Sequence, residues 1–495
     1  MLDFSTMPEV FVSNAELASI VSRETKQGRL RKFGSRLYTR NLREPAERVV
    51  QRNLWPLVAS YLPGALIADR TALENRPASD GSVFVIADHK RDIIMPGVTL
   101  RPRKGPPPLE SDRQFIGTLR IASPARAFLE NMRPTRARSG VGRTLSRREI
   151  EERLDDILRR SGEPALQRIR DDAKGIAEAL GMREELHRLD AIIGGLPGTR
   201  ETRLESSVGV ARAAGAPYDP HRLELFQKLF SELTGTAPVT RLARETDGVA
   251  LPFFDAYFSN FIEGTEFAVE EAEDIIFKGH IPKARPADAH DVIGTWKVVS
   301  NRGEMSRLPR SFEELLALLK SRHAQIMEGR PEKGPGSFKA DPNRPGATIF
   351  VAPELVQGTL AKGYEIYRGL SSPLHRAIFV MFMISEVHPL ADGNGPAARI
   401  MMNAELVAAG ENRIIVPTVY RNNYLAALKA LSHNGTTGAL VRTLDFAQRY
   451  TTAIDFSELD KARFLLEQTN AFTDPNEADA NGVRLMMPTP ELLTT

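Results

Sequence analysis

The sequence predicts a multidomain, mainly helical protein with an α+β region toward its N-terminal side. Three observations lead there. The chain has 495 residues, enough for about three domains at roughly 100–200 residues each. Apolar residues recur at helical spacing over long stretches, as at Ile150, Leu154, Ile157 and Leu158. Strand-like segments gather ahead of Ser123.

Composition narrows the function classes. Lys plus Arg is 66 and Asp plus Glu is 63, a net charge of +3, so a nucleic-acid partner has to be argued from local clustering. The chain has no cysteine, which excludes thiolate zinc sites and cysteine nucleophiles. Hydrophobic residues are 42% and charged residues 26%, as in ordinary globular proteins. Asp3 and Glu9 stand where a signal peptide would be basic and then apolar. The longest apolar run, Ala377 to Ile384, is far short of the ~20 residues that span a bilayer. The expectation is a cytoplasmic protein with no membrane partner.

Residues 1–43 read as a small basic module. Ser13 or Asn14 caps a helix through Leu17, Ile20 and Val21, and Gly28 ends it. Leu30 to Tyr38 alternates around Gly34-Ser35, a hairpin signal. Arg23, Lys26, Arg29, Arg31, Lys32, Arg36, Arg40 and Arg43 crowd this stretch. A helix followed by a basic hairpin is what a winged helix offers a phosphate backbone, so residues 23–43 are the candidate DNA contact.

Residues 44–135 read as a small α+β domain. It has a helix over Pro45–Tyr61, strands at Ala65–Ala68, Ser82–Ile86 and Gln114–Ile121, a proline-rich loop at Arg101–Pro108, and a helix capped by Ser123. Asp69, Asp88 and Asp92 read as surface carboxylates. Residues 136–219 read as a solvated helical connector, with a paired arm or dimer contact as the alternative. A Gly- and Pro-rich boundary falls at Gly194–Pro220. The tail from about Thr473 is polar and reads as loosely packed.

The chemistry concentrates in Ser385 to Asn403, SEVHPLADGNGPAARIMMN. An apolar helix over Pro373–Glu386 delivers His388 at its end, and Pro389 stops it. Asp392-Gly393-Asn394-Gly395 is a tight turn that opens into a helix near Pro396. Such a turn at a helix N-terminus is an anion site. Arg399, a turn further on, reaches a second phosphate. Asp392 offers a hard oxygen to Mg2+. His388 is suited to take a proton from a hydroxyl near neutral pH. The other histidines (89, 187, 221, 280, 290, 323, 375 and 433) show no metal-ligand spacing and read as structural or surface residues.

His388-Pro-Leu-Ala-Asp392-Gly393-Asn394-Gly395-Pro-Ala-Ala-Arg399 resembles the Fic motif, H-x-F-x-[DE]-G-N-G-R-x-x-R. The resemblance covers about His221 to Tyr450, so residues 220–450 are expected to be an all-helical Fic core with a small β-hairpin flap. Residues 451–495 would be a C-terminal extension. It implies AMP transfer from ATP, with Mg2+, to a Ser, Thr or Tyr hydroxyl of a target protein. His388 would be the base, Asp392 the metal ligand, Gly393–Gly395 the phosphate cradle and Arg399 the clamp on the terminal phosphate. Leu390 replaces the motif's Phe, an apolar exchange. Pro396 replaces its first arginine, removing a guanidinium and a backbone N–H. Losing one donor to a developing charge costs about 2.7–4 kcal/mol of transition-state stabilisation.

Ser259-Asn-Phe-Ile-Glu263-Gly264 resembles the family's inhibitory-helix pattern, [ST]-x-x-x-E-[GN], placed at about 255–264. The resemblance implies that Glu263 competes with the terminal phosphate for Arg399. Ala347-Thr348-Ile349-Phe350-Val351 sits where the family carries the flap that aligns the target by strand addition. Residues around Ala15-Glu16-Leu17, Gly28-Arg-Leu-Arg31, Leu37-Tyr38 and Leu62-Pro-Gly64 resemble winged-helix antitoxin domains of the AbiEi type. Three functions follow as expectations: a self-inhibited adenylyltransferase, an enzyme that removes AMP using Glu263, and a DNA-binding, toxin–antitoxin-like regulator on a degenerate Fic core. A homodimer is compatible with each.

Overall fold

The computed structural model describes residues 7–135, 140–244, 248–343, 348 and 350–493. The chain forms two compact units, Met1–Gly215 and Ala216–Thr495.

In the first unit, strands Val10–Val12, Leu37–Thr39 and Arg31–Gly34 make an antiparallel sheet in that order. The helix Ala18–Lys26 packs on it through Val21, beside Phe11 and Leu30. Asn14 caps the first turn, its Oδ1 accepting from Leu17 N at 3.0 Å. The basic cluster is partly neutralised from within. Arg29 Nε donates to Glu24 at 2.6 Å, and Arg52 is shared between Glu9 and Glu44. Lys26, Lys32, Arg36, Arg40 and Arg43 stay exposed.

The expected single helix over Pro45–Tyr61 is two helices, Ala46–Arg52 and Leu54–Tyr61. A six-stranded mixed sheet follows. Arg101–Arg103 is strand rather than loop, because Val98–Arg103 pairs in parallel with Ser82–Ile86. Pro102 is tolerated for a geometric reason. Thr99 N–H points at Gly81 O, so by alternation the Pro102 nitrogen faces the other side. There the neighbouring strand Ile93–Met95 has already ended, its last partner being Leu100.

Asp69 is not a surface carboxylate. It is buried, and Arg103 Nε donates to it at 2.7 Å. Its neighbours are Glu130, Arg126 and Asp112, also buried and paired. A low-polarity interior requires such mutual pairing. Asp88, by contrast, is almost wholly exposed.

Residues 136–219 are likewise not a solvated connector. The helices Arg147–Ser161, Glu163–Leu180 and Arg183–Gly195 bury Leu154, Leu166, Leu189 and Ile192 against Phe128 and Leu129. Burying whole leucine side chains stabilises by about 1.5–3 kcal/mol each, so their apolar stripes are core.

The second unit is helical. Its centre is the helix Pro373–Val387, buried on nearly every face and packed antiparallel to Asn394–Ala408. Phe226 meets Phe379 and Phe382 edge-on or tilted in this core. The tail is built in. Phe456, Leu465 and Leu466 bury with Phe254 of the helix Ala250–Ile262, and Pro475 and Ala478 are buried beyond Thr473. Among the described residues no helix is long and apolar enough to cross a membrane.

The expected flap segment lies only partly within the described residues. Thr348, Phe350 and Val351 carry no strand, and Ile349 and Ala347 lie outside the described residues. Leu390 bridges to Phe338. Phe350 is drawn onto His388, and Val351 is buried in the core.

Candidate active site

The site is built on one helical hairpin and closed by one further helix. His388 caps the helix Pro373–Val387 in a left-handed conformation, φ 52°. Pro389 cannot extend the helix, so the chain turns there and the imidazole stands at the helix end. Its Nδ1 faces Ser385 O at 3.4 Å, which directs the Nδ1 proton inward and leaves Nε2 as the basic nitrogen. The Phe350 ring stacks on it, centroids 3.8 Å apart and 4° from parallel. That contact covers one face of the imidazole. Burial, and then the nearby charge of Lys339, push His388 down to about 4.

The turn is held from both sides. Asn394 Oδ1 accepts from Leu390 N and its Nδ2 donates to Leu390 O, both at 2.9 Å. Asn343 Nδ2 donates to the same carbonyl at 2.9 Å. His323 Nδ1 accepts from Gly336 N, which fixes Nε2 as the donor to Asp392 O at 3.1 Å. Burial holds His323 below its ordinary value, favouring this neutral form. Gly393 is required twice over. Its φ is +68°, and a Cβ would stand 2.8 Å from Met327 Sδ. Gly395 and Asn394 open the helix Asn394–Ala408, where first-turn amides have no intrahelical acceptor. Pro396 is buried in that turn and supplies no such donor.

Asp392 keeps one oxygen on Gly393 N at 2.9 Å. The other stands 3.6 Å from Lys333 Nζ, with the side chain 49% exposed. One half-exposed carboxylate suits Mg2+, which is commonly held by one or two carboxylates plus substrate phosphates and water. Among the described residues no cluster of three acids or histidines could hold a metal alone.

Arg399 is buried and fully engaged. Its Nε donates to Ser259 Oγ at 3.0 Å, and its Nη2 donates to Ser259 O at 2.8 Å and to Glu263 Oε1 at 2.7 Å. Burial opposes its charge, but Glu263 and the Tyr424 hydroxyl outweigh that and raise it above the ordinary value. Glu263 ends the helix Ala250–Ile262, where Gly264 N returns to Phe261 O. The Glu263 carboxylate reaches into the turn itself, since a Cβ on Gly395 would lie 2.0 Å from its Oε1.

A buried network fixes this helix against the motif helix. Arg413 Nη1 donates to Asp255 Oδ2 at 2.9 Å, and Asn403 Nδ2 reaches both oxygens of Asp255 at 3.2 Å. Arg413→Ala is expected to destabilise the fold by about 3–5 kcal/mol, because it strands the Asp255 carboxylate. Thermal unfolding would show it.

The structure therefore brings His388, Asp392, Gly393, Asn394, Gly395, Arg399, Ser259, Glu263 and Gly264 to one site, with Phe350 on His388. Sequence reasoning missed His323, Lys339 and Asn343. They lie well upstream of the motif and share no spacing with it.

Residues 314–406 match the Fic/DOC family, a span that contains the whole motif. Protein adenylyltransferase fic-1 of Caenorhabditis briggsae is 24% identical over 204 residues, 40% of this chain and 39% of that protein. Protein adenylyltransferase Fic of Drosophila persimilis is 34% identical over 203 residues, 38% of each chain. A solved structure of Fic-1 from C. elegans (residues 134–508) aligns with 18% identity, covering 64% of this chain and 96% of that one, at TM-score 0.35. The chain spans about two fifths of the length of the curated relatives it matches.

Proposed function

We propose that this chain is a self-inhibited protein adenylyltransferase that transfers AMP from ATP to a Ser, Thr or Tyr hydroxyl of a target protein. One observation carries the reading. A base, a carboxylate, a helix N-terminus and a guanidinium converge on one hairpin, and Glu263 occupies the guanidinium. The relatives named as adenylyltransferases support it.

In this reading the Asn394 and Gly395 amides receive phosphate oxygens at the helix N-terminus. Arg399 binds the terminal phosphate once Glu263 leaves it. His388 Nε2 takes the proton of the attacking hydroxyl. The hydroxyl oxygen bonds to the α-phosphorus, the bond to the β-phosphate oxygen breaks, and pyrophosphate leaves. Asp392 would hold Mg2+, whose role is to neutralise charge on the phosphates. Thr348–Val351 would align the target segment beside His388.

The pH dependence tests the base. Since His388 sits at about 4, it is unprotonated at neutral pH and loses function only as pH falls toward that value. The acidic limb of kcat/KM in Glu263→Gly is expected well below the ordinary histidine range. A limb at the ordinary value of about 6.5 would contradict the burial of His388.

A further inference from the structure

Lys339 has no role in the motif, yet it lies beside the motif loop. Its backbone N–H donates to Pro389 O at 2.9 Å, the residue after the base. The Phe338–Leu390 bridge holds the segment alongside the motif loop. The ammonium lies 6.0 Å from the Phe350 ring centroid, and that ring stacks on His388. Lys339 is only 5% exposed. Among the described residues its Nζ donates to one neutral acceptor, Asn343 Oδ1 at 2.7 Å, and pairs with no carboxylate.

A buried ammonium without a counter-charge is costly. An ammonium has three donors, and one hydrogen bond leaves two unaccounted for. The Glu386 carboxylate is engaged with Arg222 at 2.9 Å, and the charge of Arg222 disfavours the ammonium further. Such a group suits a site that acquires an anion when loaded. Arg399 serves the far end of a nucleotide, whereas Lys339 lies on the His388 side.

We propose that Lys339 binds the phosphoryl group next to the reacting hydroxyl, supplying a positive charge that Pro396, in place of arginine, cannot. This rests on the nucleotidyl-transfer reading above. In the covalent step Lys339 exchanges no proton. It donates to a nonbridging α-phosphoryl oxygen while the hydroxyl attacks and pyrophosphate departs. Burial and the charge of Arg222 hold the free lysine at about 8; a bound phosphate would favour its charged form.

The test separates phosphate recognition from a structural role. Adenosine, AMP and Mg-ATP are titrated against Glu263→Gly and against the same protein carrying Lys339→Met or Lys339→Arg. Lys339→Met keeps the buried stem, and circular dichroism checks the fold. The expected result is a loss of about tenfold in AMP and Mg-ATP affinity in Lys339→Met, unchanged adenosine affinity, and recovery in Lys339→Arg. Equal affinities for AMP in parent and Lys339→Met would overturn the proposal. So would a parallel loss for adenosine, which would assign Lys339 to packing. If the Glu263→Gly parent binds neither AMP nor Mg-ATP, the nucleotidyl-transfer reading falls and this proposal with it.

Discussion

Glu263→Gly is expected to raise Mg-ATP affinity by at least about tenfold. A hydrogen bond to a charged group is worth about 1.5–3 kcal/mol, and Glu263 is 43% exposed, which places this pair at the lower end. The gain has two sources. In the proposed reading Arg399 Nη2 is released to the terminal phosphate, and the carboxylate that crowds Gly395 leaves the turn proposed to cradle phosphate. Calorimetric titration of wild type and variant checks it. The effect should shrink little with added salt, because Arg399 is buried. Equal affinities would mean that the Glu263–Arg399 pair is structural only.

His388→Ala is expected to separate binding from chemistry. Removing a positioned general base costs about 10²–10⁴-fold in rate, while the nucleotide contacts proposed for Arg399 and the turn amides remain. In the Glu263→Gly background, Mg-ATP affinity should therefore hold as transfer disappears. The Phe350 ring loses its stacking partner in this variant, so near-ultraviolet circular dichroism provides a check that the loop has not rearranged. Transfer that persists in His388→Ala would assign the base elsewhere.

The motif was legible because its chemistry is local. Helix stop, turn, helix start and guanidinium fall within twelve residues, His388 to Arg399. Backbone rules alone place them: Pro389 ends one helix and glycines open the next. The Ser259–Glu263 pattern was legible for a different reason. One helical turn puts a hydroxyl and a carboxylate on the same face, and both reach Arg399. What stayed hidden depends on tertiary approach. Nothing near Lys339 or His323 in sequence shows that one flanks His388 and the other holds Asp392.

The N-terminal unit shows the same limit. The helix and hairpin of residues 1–43 follow from an Asn cap and a Gly-Ser turn. The apolar stripe of Ser146–Leu189 was equally visible, but periodicity states only that a face is apolar. That it covers Phe128 and Leu129 is set by chain topology. Asp69 was misassigned because its partners, Arg103 and Glu130, lie 34 and 61 residues away.

The central claim, proposed above, is that the His388–Arg399 site transfers AMP despite Pro396 and is restrained by Glu263. The most direct measurement uses ATP labelled at the α-phosphate, with Mg2+, and follows label on protein. Wild type, Glu263→Gly and Glu263→Gly/His388→Ala are compared, on the chain itself and on a cell lysate. The account predicts strong labelling only in Glu263→Gly. Absence of label in all three, under conditions where Glu263→Gly binds Mg-ATP, would contradict it.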